Sequence, residues 1–319
     1  MYLDYQSFIN CIIELLNEQT EEGTWIEIGH QLRNNGVNHD SFVFRRQNEP
    51  IAPSIPAACF YEAYQKGSSV NEIVREIRSC YEAGKPGREV DLSFLTDAGA
   101  LRRNTVCRLI NHEYNKELLK QVPHRTFLNL AVVYYYILED PEIGNGSILL
   151  RSDQLGMLGI SAQELDLCAR VNTRKRCPVS FGTLKSVMDD LLGKTEPAEG
   201  EKGEEKTILW DVDEKNRQEV PLYILTNKER FYGAYWMTDP DVQRMIAERI
   251  GGAYYVLPSS VHECMVVPEY IAWDCASLAE MVTEINRECV PKEEVLADTI
   301  YYYSEKDKNL TLFSYDVDN

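Results

Sequence analysis

The stretch 251–268 constrains the fold most, because an apolar strand there meets a proline and then a cluster of polar side chains. Residues 253–257 are apolar and aromatic, which predicts a buried strand. Pro258 lacks a backbone donor and ends that strand, and the serine pair that follows it suits a turn. Residues 261–267 are predicted to form a second strand. The sequence therefore predicts two extended segments joined by a kink.

Polar side chains in this stretch suggest a catalytic site. Side chains alternate along a strand, so Ser260, His262 and Cys264 are predicted to share one face while Glu263 faces the other. Ser260, His262 and Glu263 are candidate catalytic residues of a Ser-His-acid hydrolase, and Cys264 is an alternative nucleophile. Residues two apart on a strand are separated by roughly 7 Å, whereas a nucleophile and its base must lie within about 3 Å. The alternative is that a neighbouring group holds His262 while the serines, including the candidate binding residue Ser259, close a turn.

Composition restricts the classes of partner. The chain has 319 residues and a formal net charge of -18, and its length suits one large domain or two smaller ones. The negative charge disfavours nucleic acid and acidic membranes and favours a protein partner with basic character. Nine cysteines are an odd number, and no C-x-x-C motif is present. The sequence shows no apolar leader and no long apolar run. The cysteines are therefore predicted to be reduced thiols of a cytoplasmic protein.

Metal and cofactor motifs are absent from the sequence. His262, Cys264, Cys275 and Cys289 are the residues from which a zinc site could be argued. Their spacing fits no common pattern, and buried free cysteine is the ordinary alternative. No G-x-G-x-x-G, P-loop, G-x-S-x-G or EF-hand pattern is present. We therefore expect no metal and no cofactor.

Helix caps and hairpins predict the fold class. Capping boxes at 69–72, 161–164 and 277–280 predict helix starts, and Asp239 with Pro240 predicts a helix that Gly251 ends. The predicted strand pairs are 24–32 with 41–46, 128–138 with 147–150, 220–226 with 233–237, and 299–303 with 310–315. The turn at 34–36 tolerates positive φ. The predicted class is α+β, with antiparallel β-hairpins and helices packed on one face.

Internal echoes and one polar interruption predict the domain organisation. Residues 109–136 echo 284–303, and 146–153 echo 233–239, which predicts an internally repeated unit and allows two lobes. Residues 193–206 contain no large apolar side chain, so they cannot bury surface to offset the entropy of ordering. We expect an N-terminal α+β domain at 1–193, an acidic flexible linker or loop at 194–206, and a C-terminal α+β domain at 207–319.

Basic and aromatic side chains offer two possible surfaces. Arg170, Arg174, Lys175 and Arg176 form the densest basic cluster and are candidate binding residues for an anion or an acidic surface. The structural interpretation is that cations favour a helix C-terminus. The 19 tyrosines include the triplets 134–136 and 301–303. Alternation along a strand predicts at least one exposed ring in each triplet, which would suit a partner.

A resemblance to a known family rests on several short motifs. The most specific is 257–263, Leu-Pro-Ser-Ser-Val-His-Glu, and the others are at 34–36, 109–111 with 115–116, 122–124, and 225–227 with 233–234. Together they resemble a domain-of-unknown-function family of Gram-positive gut bacteria, over most of the chain apart from the acidic linker. The resemblance implies an intracellular bacterial protein. It implies no activity, cofactor or catalytic residue.

The leading functional hypothesis is an uncharacterised cytosolic bacterial protein that serves as a non-catalytic protein-interaction module with an acidic surface. One alternative is a hydrolase that uses Ser260 or Cys264 with His262. Another is an acidic mimic of nucleic acid, which would carry carboxylates in rows. Nucleic acid and membranes are not expected as partners.

Overall fold

The computed structural model describes residues 2–47, 52–84, 93–140, 144–191, 208–209, 222–271 and 275–313. The chain forms two compact units. The first comprises Met1–Leu92 with Asp140–Gly144, and the second comprises Ser93–Glu139 with Asn145–Asn319. Each unit has a hydrophobic core of its own.

The first unit packs helices against a three-stranded antiparallel sheet of order β1-β2-β3. Its elements are α1 (Tyr5–Asn17), β1 (Thr24–Leu32), β2 (Asn38–Arg46), β3 (Ser54–Pro56), α2 (Ala58–Gln65) and α3 (Val70–Gly84). The predicted turn between β1 and β2 forms, with φ of 58° at Asn35 and 70° at Gly36. Phe8, Ile12 and Ile73 are fully buried between the helices and the sheet, since apolar side chains recur at helical spacing in α1 and α3.

The second unit contains two sheets. The four-stranded sheet is built from β4 (Thr105–Asn111), β5 (His124–Phe127), β6 (Leu130–Asp140) and β7 (Gly144–Leu149). The order is β4-β6-β5, and β7 also pairs with β6. The seven-stranded sheet is built from β8 (Val179–Thr183), β9 (Ile208–Leu209), β10 (Tyr223–Asn227), β11 (Tyr254–Leu257), β12 (Cys264–Pro268), β13 (Tyr301–Ser304) and β14 (Asn309–Leu312). Its order is β14-β13-β11-β12-β10-β8-β9.

Helices surround these sheets. They are α4 (Ala98–Asn104), α5 (Lys116–Leu119), α6 (Ser152–Leu158), α7 (Ala162–Arg176), α8 (Leu184–Leu191), α9 (Pro240–Ile250) and α10 (Cys275–Glu288). Strand pairing is antiparallel except between β8 and β9, which run parallel, among the pairs whose register is described. The predicted α+β class is confirmed. None of the described helices is long and apolar enough to cross a lipid bilayer.

Alternation along β4 and β6 divides their side chains between two cores. Leu109 of β4 and Tyr134 of β6 pack into the large core of the second unit. Ile110 and Val133 pack into a smaller core on the opposite face. Arg108 pairs with Val133 across the two strands, so its side chain shares the face of the smaller core. A cation therefore occupies a strand position whose neighbours are apolar.

Most helix caps follow their sequence signals. The Ser69 hydroxyl accepts from Glu72 N at 3.3 Å, and Glu72 accepts from Ser69 N at 2.8 Å. The Ser161 hydroxyl caps α7 by accepting from Glu164 N at 3.1 Å. Helix α10 differs, because it begins at Cys275 and so includes the predicted cap position 277 within its first turn.

Two strand predictions are wrong in extent or type. Residues 233–237, predicted as a strand, lie in a 3-10 helix at Gly233–Thr238. The backbone N–H groups of Gly233 and Ala234 donate to carbonyls of the 258–263 segment, which fixes a tight turn where aromatic composition indicated a strand. The strand predicted at 261–267 begins only at Cys264, as β12.

The division into units differs from the one expected around 194–206. Strands β8 and β10 precede and follow that segment, yet they are adjacent antiparallel strands of one sheet. The compact units instead divide after Leu92. The segment 194–206 itself lies outside the described residues.

The proposed internal echoes adopt different secondary structure. Asn111 ends a strand, whereas its counterpart Asn286 lies in helix α10. Residues 146–149 lie in a strand, whereas the matching 233–238 segment is a 3-10 helix. The two tyrosine triplets lie in β6 and β13, in different sheets.

Asp239 joins two helices and offers a test of the packing. Its buried carboxylate caps α9 by accepting from Asp241 N at 3.0 Å, and it pairs with Arg174 at the end of α7 at 2.7 Å. We predict that Asp239→Ala lowers the free energy of unfolding by about 2 kcal/mol or more, because both contacts are lost. Asp239→Asn keeps a capping side chain and should cost less.

The matched control is Asp241→Ala, which removes a half-exposed carboxylate from the same arginine. Its cost should stay within about 1 kcal/mol, as for surface ion pairs. Urea unfolding curves measure all three variants. Equal losses for Asp239→Ala and Asp241→Ala would contradict this account of the cap.

Candidate functional site

The segment 258–263 connects β11 to β12 and is bonded on both sides through its backbone. On one side, Val261 N donates to Glu294 O at 2.8 Å and Leu296 N donates to Ser259 O at 3.2 Å. On the other side, the carbonyl of His262 accepts from Gly233 N at 2.9 Å and from the Thr226 hydroxyl at 2.8 Å. The segment thus joins β10, the 3-10 helix and the chain before β13. Its role in the fold is to hold these elements in place.

Both ring nitrogens of His262 are engaged. Nδ1 accepts a hydrogen bond from Tyr232 N at 3.1 Å, and Nε2 lies 3.5 Å from Glu294 Oε1. An Nδ1 that accepts a backbone N–H carries no proton, so in the neutral ring the proton is on Nε2 and faces Glu294. The carboxylate next to His262 is therefore Glu294, and no described contact joins His262 to the Glu263 carboxylate.

The candidate nucleophiles are occupied or buried. The Ser260 hydroxyl accepts from His262 N at 3.0 Å, which closes the predicted turn. Cys264 is fully buried, its sulfur lies 3.8 Å from the Met237 sulfur, and burial raises the pKa of its thiol. Ser259 contributes its carbonyl to Leu296 N. The structure brings Ser260 and His262 together through the backbone of the histidine, and not as a nucleophile with its base.

The basic cluster lies in the last turns of α7, where the helix dipole stabilises cations. Arg174 pairs with Asp239, and Arg176 donates to Glu139 and Asn104 at 2.6 Å each. Arg170 lies 3.8 Å from Asp166, and Lys175 is exposed. Three of the four cations thus have carboxylate partners within the protein. All four belong to α7, whereas His262 lies between β11 and β12.

Residues 228–232, here called the aromatic loop, are closed by the side chain of the residue that precedes them. Asn227 donates to Phe231 O at 2.8 Å and accepts from Phe231 N at 3.1 Å. Arg230 and Tyr232 have φ of 52° and 56°, in the left-handed region that few non-glycine residues adopt. At Gly233 a Cβ would lie 2.4 Å from Asn227 N, so only glycine allows this close approach.

This loop encloses a buried cation. Arg108 is 6% exposed, and its guanidinium carbon lies 4.1 Å from the Tyr135 ring centroid and 3.9 Å from that of Tyr232. The Phe231 centroid is 5.3 Å away. Phe231 also stacks on His262 with centroids 5.2 Å apart. Arg108, Tyr135, Phe231, Tyr232 and His262 are here called the Arg108 site.

No described carboxylate lies within ion-pair distance of Arg108. Burial lowers the pKa of its guanidinium, and the phenols of Tyr232 and Tyr135 oppose that effect. Arginine nevertheless keeps its charge in proteins. Burying an unpaired charge is costly, and cation–π contacts offset only part of that cost. Such a group is a candidate for binding an anion.

Arg108 and Glu294 were not among the residues selected from sequence. The signal for Arg108 is a single cation inside the apolar strand 105–111. Such a residue is rarely buried without a partner. Glu294 gave no signal, because it meets His262 only through the folding of the chain between α10 and β13.

The described residues were compared with the requirements of a metal site. Among those residues no three His, Cys, Asp or Glu side chains lie close enough together to hold an ion. Of the four residues from which zinc could be argued, Cys264 is buried in the core and Cys289 is exposed. The side chain of Cys275 lies outside the described residues.

His262 provides a test of the hydrogen bond that positions the aromatic loop. We predict that His262→Ala leaves Tyr232 N without its acceptor and lowers the free energy of unfolding by about 1–3 kcal/mol. His262→Asn should restore part of this, because Oδ1 can take the place of Nδ1. Hydrogen exchange by mass spectrometry over residues 228–234 measures the loop directly.

The control is His124→Ala, which removes an exposed histidine of β5. It should leave exchange in the aromatic loop unchanged. Wild-type exchange rates in His262→Ala would show that the imidazole does not hold the loop.

Comparison with known proteins gives one match. A search of curated proteins and a search of solved structures found no match. The model of a family of unknown function, DUF5688, matches residues 5–305. The predicted origin in Gram-positive gut bacteria stays a prediction. The match spans nearly the whole sequence, and the chain therefore belongs to this family of unknown function.

Proposed function

We propose that this protein is a non-catalytic binding protein that recognises another protein with its aromatic loop. The observation that carries the proposal is that the polar groups of Ser260 and His262 make hydrogen bonds within the protein. The Ser260 hydroxyl, the His262 carbonyl and the His262 imidazole all bond to backbone groups, or to the Thr226 hydroxyl, and so position the loop. The residue types that suggested catalysis serve here to present Phe231.

Phe231 has the properties of a recognition residue. Its side chain is 53% exposed although its backbone is held at both N–H and carbonyl by Asn227. A large apolar ring on a fixed backbone loses little conformational entropy when a partner covers it. Aromatic residues in such positions are frequent centres of protein interfaces.

Charge and cysteine chemistry indicate the kind of partner and its compartment. The formal net charge of -18 favours association with a protein of basic character and disfavours nucleic acid. The described cysteines are free thiols, and three of them, Cys59, Cys80 and Cys289, are exposed. Free thiols persist in a reducing compartment, which supports a cytoplasmic place of action.

A photo-crosslinking amino acid at position 231 tests the proposal in the source cells. The matched control position is Tyr270, which is 66% exposed and follows the far end of β12. We expect position 231, and not position 270, to capture a discrete protein. Phe231→Ala should then weaken binding of that purified protein about tenfold or more, as expected for an interface centre.

Two results would contradict the proposal. One is the same set of captured proteins from both positions, which would reflect exposure alone. The other is unchanged affinity of the captured protein for Phe231→Ala.

A further inference from the structure

We infer that the Arg108 site binds a carboxylate group, with the guanidinium as its receptor and the aromatic loop as its wall. The inference rests on the proposed function and specifies what the loop recognises. Arg108 is only 6% exposed. No described carboxylate lies within ion-pair distance of its guanidinium. A buried charge that is not neutralised internally favours an anion from outside.

The planar guanidinium determines how an anion can bind. The rings of Tyr135 and Tyr232 cover the guanidinium at 4.1 and 3.9 Å from its central carbon. Both distances are in the range of cation–π contacts. The N–H donors of the guanidinium lie in its plane, so an anion binds along its edge. An in-plane pair of N–H donors matches the two oxygens of a carboxylate.

The surroundings favour a singly charged ligand over phosphate. Glu294 lies 3.5 Å from His262, whose ring stacks on Phe231. Glu229 is itself a residue of the aromatic loop. Two carboxylates and a net charge of -18 repel a dianion more strongly than a monoanion.

The exposed ring of Phe231 favours a carboxylate attached to an apolar group. Its centroid lies 5.3 Å from the guanidinium carbon and more than half of its side chain is open to solvent. The apolar part of a ligand bound at Arg108 can therefore pack against this ring. The C-terminal carboxylate and the Asp or Glu side chains of a partner protein both supply the required chemistry, and even a basic partner carries them.

Sodium benzoate is the first probe, because it combines one carboxylate with one apolar ring. Benzamide is its neutral analogue of the same shape, and inorganic phosphate is the dianionic comparison. Binding to the full chain is measured by saturation-transfer NMR at constant ionic strength. We expect saturable binding of benzoate, and binding of benzamide and phosphate that is weaker by about tenfold or more.

Arg108→Lys keeps a cation but removes the planar pair of donors, so it should weaken benzoate binding by about tenfold or more. Arg244→Lys is the matched control, since Arg244 is a partly exposed arginine of α9. It should bind benzoate as the wild-type protein does. The comparison of benzoate with benzamide needs no variant, so a folding defect in Arg108→Lys would leave the test intact.

Two further ligands separate the possible sources of the carboxylate. N-acetylphenylalanine represents a chain end, and N-acetylglutamate α-amide represents an acidic side chain. Binding of either supports the inference, and the tighter one identifies the source.

The inference is overturned if benzoate does not bind saturably, if benzamide binds as well as benzoate, if phosphate binds more tightly, or if Arg108→Lys binds like the wild-type protein. A protein captured at position 231 together with any of these results would leave the proposed function standing and reject the carboxylate site. Benzoate binding without a captured protein would support the carboxylate site and reject the proposed function.

Discussion

The carbonyl and N–H groups of residues 258–263 are the constraint on which the second unit depends. A segment that leaves one strand and enters the next inside a core must pair its backbone groups with something other than a regular ladder. Here the partners are the chain at 294–297 on one side and residues 233–234 on the other. Because these partners come from distant parts of the sequence, the short segment fixes three elements at once. The same bonds determine where the aromatic loop lies.

The consequences reach Arg108 through a short chain of contacts. Glu294 lies next to Nε2 of His262, and Nδ1 of His262 accepts from Tyr232 N. That bond holds Tyr232 in the left-handed region with its ring over the guanidinium. Strained backbone of this kind costs of order 1–3 kcal/mol and persists where the surroundings enforce it. At Tyr232 the strained backbone places an aromatic ring over a buried charge.

The sequence was sufficient for elements whose signals are local. The cap at Asp239 with Pro240, the capping boxes at 69 and 161, and the turn at 34–36 depend on neighbours within one or two turns of chain. The strand predicted at 233–237 failed because its aromatic composition fits a strand, whereas its bonds are to residues 261–262. Likewise, the polar segment 194–206 indicated a boundary, but no local signal showed that β8 and β10 pair across it.

The sequence also predicted only part of the candidate site. Residues 257–263 were recognised as special, and their turn formed, but the role assigned to His262 depended on which acid it meets. Glu294 is that acid, and it carries no local signal. Arg108 could have been selected from its apolar strand by a stricter rule, namely that any cation in a fully buried strand requires an explanation.

A carboxylate and a pair of tyrosines stabilise a buried arginine in different ways. A carboxylate partner would neutralise the charge and occupy the in-plane donors, which would leave Arg108 a purely structural residue. The Tyr135 and Tyr232 rings instead attract the guanidinium through their quadrupoles, and neither ring removes its charge. The guanidinium therefore keeps its charge, and with it an affinity for an oxyanion, while it is held in position. In a protein of net charge -18, many carboxylates could have evolved beside this arginine, and the described residues place aromatic rings there instead. That choice of neighbours is the physical reason to regard Arg108 as a receptor.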